Sequence, residues 1–137
     1  MIYKSLHLRI FLIFFFICNN FVFPTQVQLV TAHKKSNGVL LRIVTNSIVD
    51  IDNIAGWKGQ ENWFYLTLNG SYLSPKALEE LSFELPLLDI EITENNQSIQ
   101  IGYLFNTPIE DFEIFHSSAS RVLLVQIWES LSDSLKS

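Results

Sequence analysis

Residues 45–57, TNSIVDIDNIAGW, and residues 105–117, FNTPIEDFEIFHS, say nearly the same thing about sixty positions apart. Each follows an alternating apolar run and opens on Asn-Ser or Asn-Thr. Each then crosses an acidic segment studded with apolar side chains and reaches an aromatic residue. The likeness extends to both sides. A shift of 60 sets Leu41, Ile43 and Thr45 on Ile101, Tyr103 and Phe105, and Asn46-Ser47 on Asn106-Thr107. A shift of 61 sets Asp50-Ile51-Asp52 on Asp111-Phe112-Glu113, and a shift of 59 sets Phe64, Leu66 and Leu68 on Leu123, Val125 and Ile127. Drift of one residue either way is what small loop insertions and deletions produce. The repeated unit reads strand, polar turn, strand, loop, strand. One three-stranded unit hides only one face, so two copies are expected to bury each other's apolar faces.

From Val39 onward the hydrophobic period is two. In QSIQIGYLF, Ile99, Ile101, Tyr103 and Phe105 point one way. In NWFYLTL, Phe64, Leu66 and Leu68 form one face, with Trp63, Tyr65 and Thr67 on the other. LLDIEIT sets Leu88, Ile90 and Ile92 against Asp89, Glu91 and Thr93. Such strands are half buried. Turn signals separate them at Ser36-Asn37-Gly38, Gly56 to Gly59, Asn69-Gly70, Asn95-Asn96 and Ser117 to Ser120. SPKALEEL breaks the rhythm: Ser74 suits an N-cap and Pro75 the first helical position, so a short helix or turn is expected between the halves. The expected fold is an all-β sandwich of two similar small sheets from an internal duplication.

The start of the chain reads differently. Lys4 and Arg9 precede an unbroken apolar run from Ile10 to Cys18, then Asn19-Asn20 and Phe21 to Phe23 before Pro24. A basic start, a short apolar middle and a polar exit follow the plan of a secretory signal peptide. The run is too short to span a bilayer unless it counts on to Phe23. Left uncleaved, it would be an anchor and the chain's contact with the membrane. The expected organisation is a signal peptide over 1–25 (cleavage as late as 32), an N-terminal tail over 26–38, the β-domain over 39–128 and a C-terminal tail over 129–137. Export implies a periplasmic or cell-envelope location.

Cys18 is the single cysteine and leaves with the signal, so no disulfide or thiolate site is expected. All 14 acidic residues lie beyond His33, against seven of the nine Lys and Arg, Lys4 and Arg9 being the other two. The net charge there is −7, seven less fourteen. That surface argues against nucleic acid or anionic lipid as a partner.

No catalytic or metal constellation stands in the sequence. His7, His33 and His116 are far apart, and there is no HExxH, GxSxG or Gly-rich phosphate loop. His116 beside Ser117 and Ser118 lacks the reach of a triad. Asp50-Asp52 and Glu110-Asp111-Glu113 read as solvated edge charge rather than a calcium loop. No enzymatic activity, metal or cofactor is expected. Aromatic residues are the feature suited to binding. Trp63 and Tyr65 share the face opposite Phe64, with Trp57 just before them in a Gly-flanked loop. Flat rings with polar tips suit sugar or peptide ligands and often anchor interfaces. The alternative is that the helix or a terminal strand covers this face and makes Trp63 core.

The segments LLRIVTNSIVDIDNI with WFYLTLNG, and IQIGYLFNTPIEDFEIF with RVLLVQIW, resemble the amidase N-terminal (AMIN) domain family over about Val39 to Trp128. The resemblance implies two symmetric β-sheets, found in the bacterial periplasm on cell-wall amidases or on secretins of pilus and secretion systems. It implies a non-catalytic role, binding peptidoglycan or another envelope glycan to hold the protein or its partner at the envelope. The alternative it leaves open is a protein-interaction subunit of a type IV pilus or secretion assembly.

Overall fold

The computed structural model describes residues 24–130, and within them the chain is an all-β sandwich. The residues expected as signal peptide, apart from Pro24 and Thr25, and those after Ser130 lie outside the described residues. Nine strands follow in order: β1 (Thr25–Lys35), β2 (Gly38–Thr45), β3 (Ile54–Lys58), β4 (Trp63–Asn69), β5 (Ser71–Leu73), β6 (Leu87–Asn95), β7 (Ser98–Phe105), β8 (Ile109–Phe115) and β9 (Val122–Glu129). A short helix, α1 (Pro75–Glu79), stands at the expected place, with Pro75 in its first turn and Ala77 fully buried.

The alternating runs bury the expected faces. Phe64, Leu66 and Leu68 of β4, Ile99, Ile101 and Tyr103 of β7, and Val125 and Ile127 of β9 are all 0% exposed. Each sits on the inner face because the pleat sends every second side chain the same way. Tyr103 carries its phenol into this core. Its hydroxyl has no hydrogen-bond partner among the described residues, and burial pushes its ionisation well above the ordinary tyrosine range.

The repeat is larger and more entangled than the sequence indicates. One sheet runs β5-β1-β2-β9-β8, the other β3-β4-β7-β6. Leaving β5 aside, β1-β2-β9-β8 has the same plan as β6-β7-β4-β3. Each sheet therefore takes strands from both halves: β2 pairs with β9, and β4 with β7. The unit also has four strands, since β1 precedes β2 as β6 precedes β7. The hairpins match in detail, Lys35 pairing Gly38 as Asn95 pairs Ser98, with the same register break between Val27 and Leu29 and between Leu87 and Asp89.

Backbone hydrogen bonds outside the ladders repeat as well. Thr45 N–H donates to the Arg121 carbonyl (2.9 Å) as Phe105 N–H does to Asn62 (3.0 Å). Asn46 N–H donates to Gln26 (3.0 Å) as Asn106 N–H does to Pro86 (2.9 Å). The two stretches that open with Asn-Ser and Asn-Thr thus make the same turn, each fastened to the start of the hairpin that precedes it.

Four expectations need correction. Residues 26–38 are not a tail: they hold most of β1, whose Val27 and Val30 are fully buried. Gly56 to Gly59 is not a turn, because Gly56 lies within β3, where a Cβ would come within 3.0 Å of the Phe64 ring and 3.1 Å of Ile114. Close approach, not chain reversal, explains that glycine. The hairpin reverses instead at Glu61-Asn62, whose φ angles of 56° and 68° fit a two-residue I′ turn closed by Trp63 N–H to the Gln60 carbonyl. Leu88 points outward, 48% exposed, because the bulge at Leu87–Asp89 resets the alternation and buries Leu87 in its place. Finally, Asp50 and Asp52 do not correspond to Asp111 and Glu113. Ile54 pairs with Leu68 as Phe112 pairs with Ile127, a shift of 58. The first half takes up the difference in a 3-10 turn over Ile51–Asn53, where Asp50 Oδ1 accepts from Asp52 N–H at 3.1 Å.

Candidate functional site: an aromatic shelf on the four-stranded sheet

Trp57, Trp63 and Tyr65 come together on the outer face of the four-stranded sheet. Trp63 and Tyr65 are two apart on β4 and share a face by the pleat. Trp57 is not in a loop but on β3, directly opposite Tyr65 in the ladder. Trp57 and Tyr65 stack with centroids 5.7 Å apart and planes at 28°, and Trp63 and Tyr65 with centroids 5.8 Å apart at 10°. The three rings form one continuous shelf.

Two glycines make room for it. A Cβ on Gly102 would lie 3.1 Å from the Trp63 ring and 3.2 Å from the Tyr65 ring, and a Cβ on Gly59 would lie 2.5 Å from the Tyr65 ring. The rings therefore lean down onto bare backbone. Gly102 is the residue paired with Tyr65 in β7, so its missing side chain opens the floor where the ring settles.

The shelf is open to solvent. Trp57 is 41% exposed, and Trp63 and Tyr65 are half-buried. The helix does not cover it. The chain around α1 runs along β1 in the other sheet, with Ser74 N–H on the Val27 carbonyl at 2.9 Å and a parallel bridge between Thr31 and Ser82.

Sheet register adds two carboxylates that the sequence reading missed. The row through Trp57 and Tyr65 continues over Gly102 to Glu91, and the row through Trp63 continues over Leu104 to Asp89. With strands about 4.8 Å apart, Glu91 stands about 10 Å from Tyr65 along its row. Nothing local in LLDIEIT signals this, because the neighbour across a sheet is set by pairing. A recess of about 270 Å³ opens at the Trp63 end, lined by Lys58, Glu61 and Asn62 among others. Hydrophobic rings bordered by hydrogen-bonding groups can hold the apolar faces of a ligand and bind its polar edges.

Acidic clusters and histidines do not converge: among the described residues no group of three or more His, Cys, Asp or Glu is placed to hold a metal ion. His116 does not face Ser117 as a base. Its Nε2 is bonded to the backbone carbonyl of Val49. Asp111 Oδ1 accepts from the Phe112 amide at 2.8 Å, a local contact beside the register break of β8. Among the described residues no helix is long and apolar enough to cross a membrane. No protein-family model matches the chain, and neither the curated proteins nor the solved structures contain a match.

Proposed function

We propose that this chain is a non-catalytic, exported binding module of the AMIN type that holds itself or a partner to the cell envelope by gripping peptidoglycan or a related glycan. The observation that carries the reading is the shelf in which Trp57 and Trp63 each stack on Tyr65, at 5.7 and 5.8 Å, on an open sheet face. Sugar rings offer C–H faces to aromatic rings and hydroxyl edges to carboxylates, and Asp89 and Glu91 stand in the same two rows. The net negative charge works against nonspecific binding of anionic polymers, which leaves specific contacts to do the holding. A shelf of three rings is a small, partly wet interface, so the affinity is modest.

The test is a pull-down with purified peptidoglycan sacculi, comparing the wild type with a Trp57→Ala, Trp63→Ala double variant whose folding is checked by circular dichroism. The wild type is expected to co-sediment and the folded double variant to stay in solution. Retention of the folded double variant would move the site elsewhere. A wild type that does not bind sacculi would favour the pilus or secretion-assembly reading instead.

A further inference from the structure

Edge strands offer unpaired backbone groups, and proteins guard them with charge, bulges or cover. Three of the four sheet edges are guarded in this way. β8 carries Glu110, Asp111 and Glu113 and a register break, and β6 carries Asp89, Glu91 and Glu94 and a break of its own. On the remaining edge of the five-stranded sheet, β5 spans three residues, and the amide of Leu73 is taken by Glu94 Oε1 at 3.1 Å. β3 has neither a carboxylate nor a bulge, and its one charge is Lys58 at its end, turned onto the Glu110 carbonyl. Ile54, Ala55, Gly56 and Trp57 are uncharged, and its register with β4 is unbroken. Where β8 has Glu113, β3 has Ala55, since Ile54 corresponds to Phe112.

The outward groups on β3 can be assigned. Gly59 N–H donates to the Trp63 carbonyl at 2.8 Å, so Gly59 faces β4. Alternation then turns Trp57 and Ala55 toward β4, and Lys58 and Gly56 away from it. The amide and carbonyl of Gly56 and Lys58 therefore point off the free edge, among residues that are exposed or half-buried.

We propose that this edge takes up an extended, basic segment of a partner protein as an added antiparallel or parallel strand. The proposal is independent of the glycan reading. Charge decides the occupant. β3 lies against β8 across the sandwich, Lys58 Nζ donating to the Glu110 carbonyl at 3.2 Å. An incoming strand meets the exposed Asp50 and Asp52 ahead of β3 and Glu110 on β8, three carboxylates against the single ammonium of Lys58. A second copy fits poorly, because pairing β3 with β3 would bring two such acidic β8 edges together. On the outer face, an incoming Lys or Arg would lie over Trp57, where a cation gains from the ring face.

The experiment follows amide shifts and hydrogen exchange in isotope-labelled protein while a short blocked peptide of alternating lysine and valine is added. A glutamate–valine peptide serves as control. The basic peptide is expected to shift and protect Gly56 and Lys58 amides first. Lys58→Ala, which keeps the amide, retains binding, whereas Lys58→Pro, which lacks it, weakens binding at least about tenfold. Should Lys58→Pro not fold, Ala55→Lys guards the edge with a repelling charge and is expected to have the same effect. Sacculus binding is expected to be unchanged in Ala55→Lys, a position outside the shelf and its recess, which separates this edge from the shelf. The proposal is overturned if Gly56 and Lys58 do not respond, if the glutamate peptide binds as well, or if sedimentation shows a dimer that Lys58→Pro dissolves.

Discussion

Lys58 and His116 hold corresponding places at the ends of β3 and β8, and each reaches into the opposite half. Lys58 Nζ donates to the carbonyl of Glu110, and His116 Nε2 bonds the carbonyl of Val49. Two chemically different side chains thus tie the two edge strands across the sandwich, Lys58 to the start of β8 and His116 to the turn that leads into β3. The geometry of the repeat persists where its residue identities do not, because the requirement at this place is a donor of sufficient reach.

Leu66 sits on the inner face of β4, fully buried between the sheets. Leu66→Ala is expected to cost about 2 to 5 kcal/mol, the transfer term plus the cavity left behind. Chemical denaturation of the two proteins measures it. A loss near zero would mean that the side chain is not in the core.

Tyr103 gives a different result. Its hydroxyl is buried without a partner among the described residues, so Tyr103→Phe removes an unsatisfied polar group and is expected to stabilise the fold by about 1 kcal/mol. The pH dependence has a definite sign. Burial holds the phenol protonated in the fold, so its folded pKa lies above the unfolded value of about 10. Its contribution is full below pH 10 and is lost as pH rises from there toward the folded pKa, at about 1.4 kcal/mol per pH unit. Tyr103→Phe is expected to remove that part of the alkaline destabilisation, read from denaturation midpoints between pH 8 and about 11.

Gly38 and Gly102 separate stability from function. A Cβ at Gly38 would lie 1.8 Å from the Ile127 carbonyl oxygen, which is rigid backbone. Gly38→Ala is expected to cost about 3 kcal/mol or more. At Gly102 the obstacles are the Trp63 and Tyr65 rings at 3.1 to 3.3 Å. Gly102→Ala is expected to cost about 1 kcal/mol while lifting the rings, changing tryptophan fluorescence and weakening sacculus binding.

β1 limits where a signal peptide can be removed. Cleavage after Ala32 would take away Val27 and Val30, both fully buried. A protein starting at Thr25 is expected to melt cooperatively, and one starting at His33 to show no cooperative transition. Mass spectrometry of envelope fractions is expected to find the mature terminus ahead of Val27.

Much of this protein was legible in the sequence. Period-two alternation fixed the inward faces of β4, β7 and β9, Ser74-Pro75 marked the helix, and Trp63 with Tyr65 fell on the face away from the core. These are local features, carried by the pleat and by side-chain chemistry within a few residues. The tertiary structure decided what those strands pair with. That β2 lies beside β9 and β4 beside β7, that β1 belongs to the sandwich, and that Trp57 completes the shelf across from Tyr65 are long-range choices. So are Glu91 and Asp89 at the ends of the aromatic rows. A strand's sequence specifies which side is buried, whereas its neighbour is selected by the burial and hydrogen bonding of the whole chain at once.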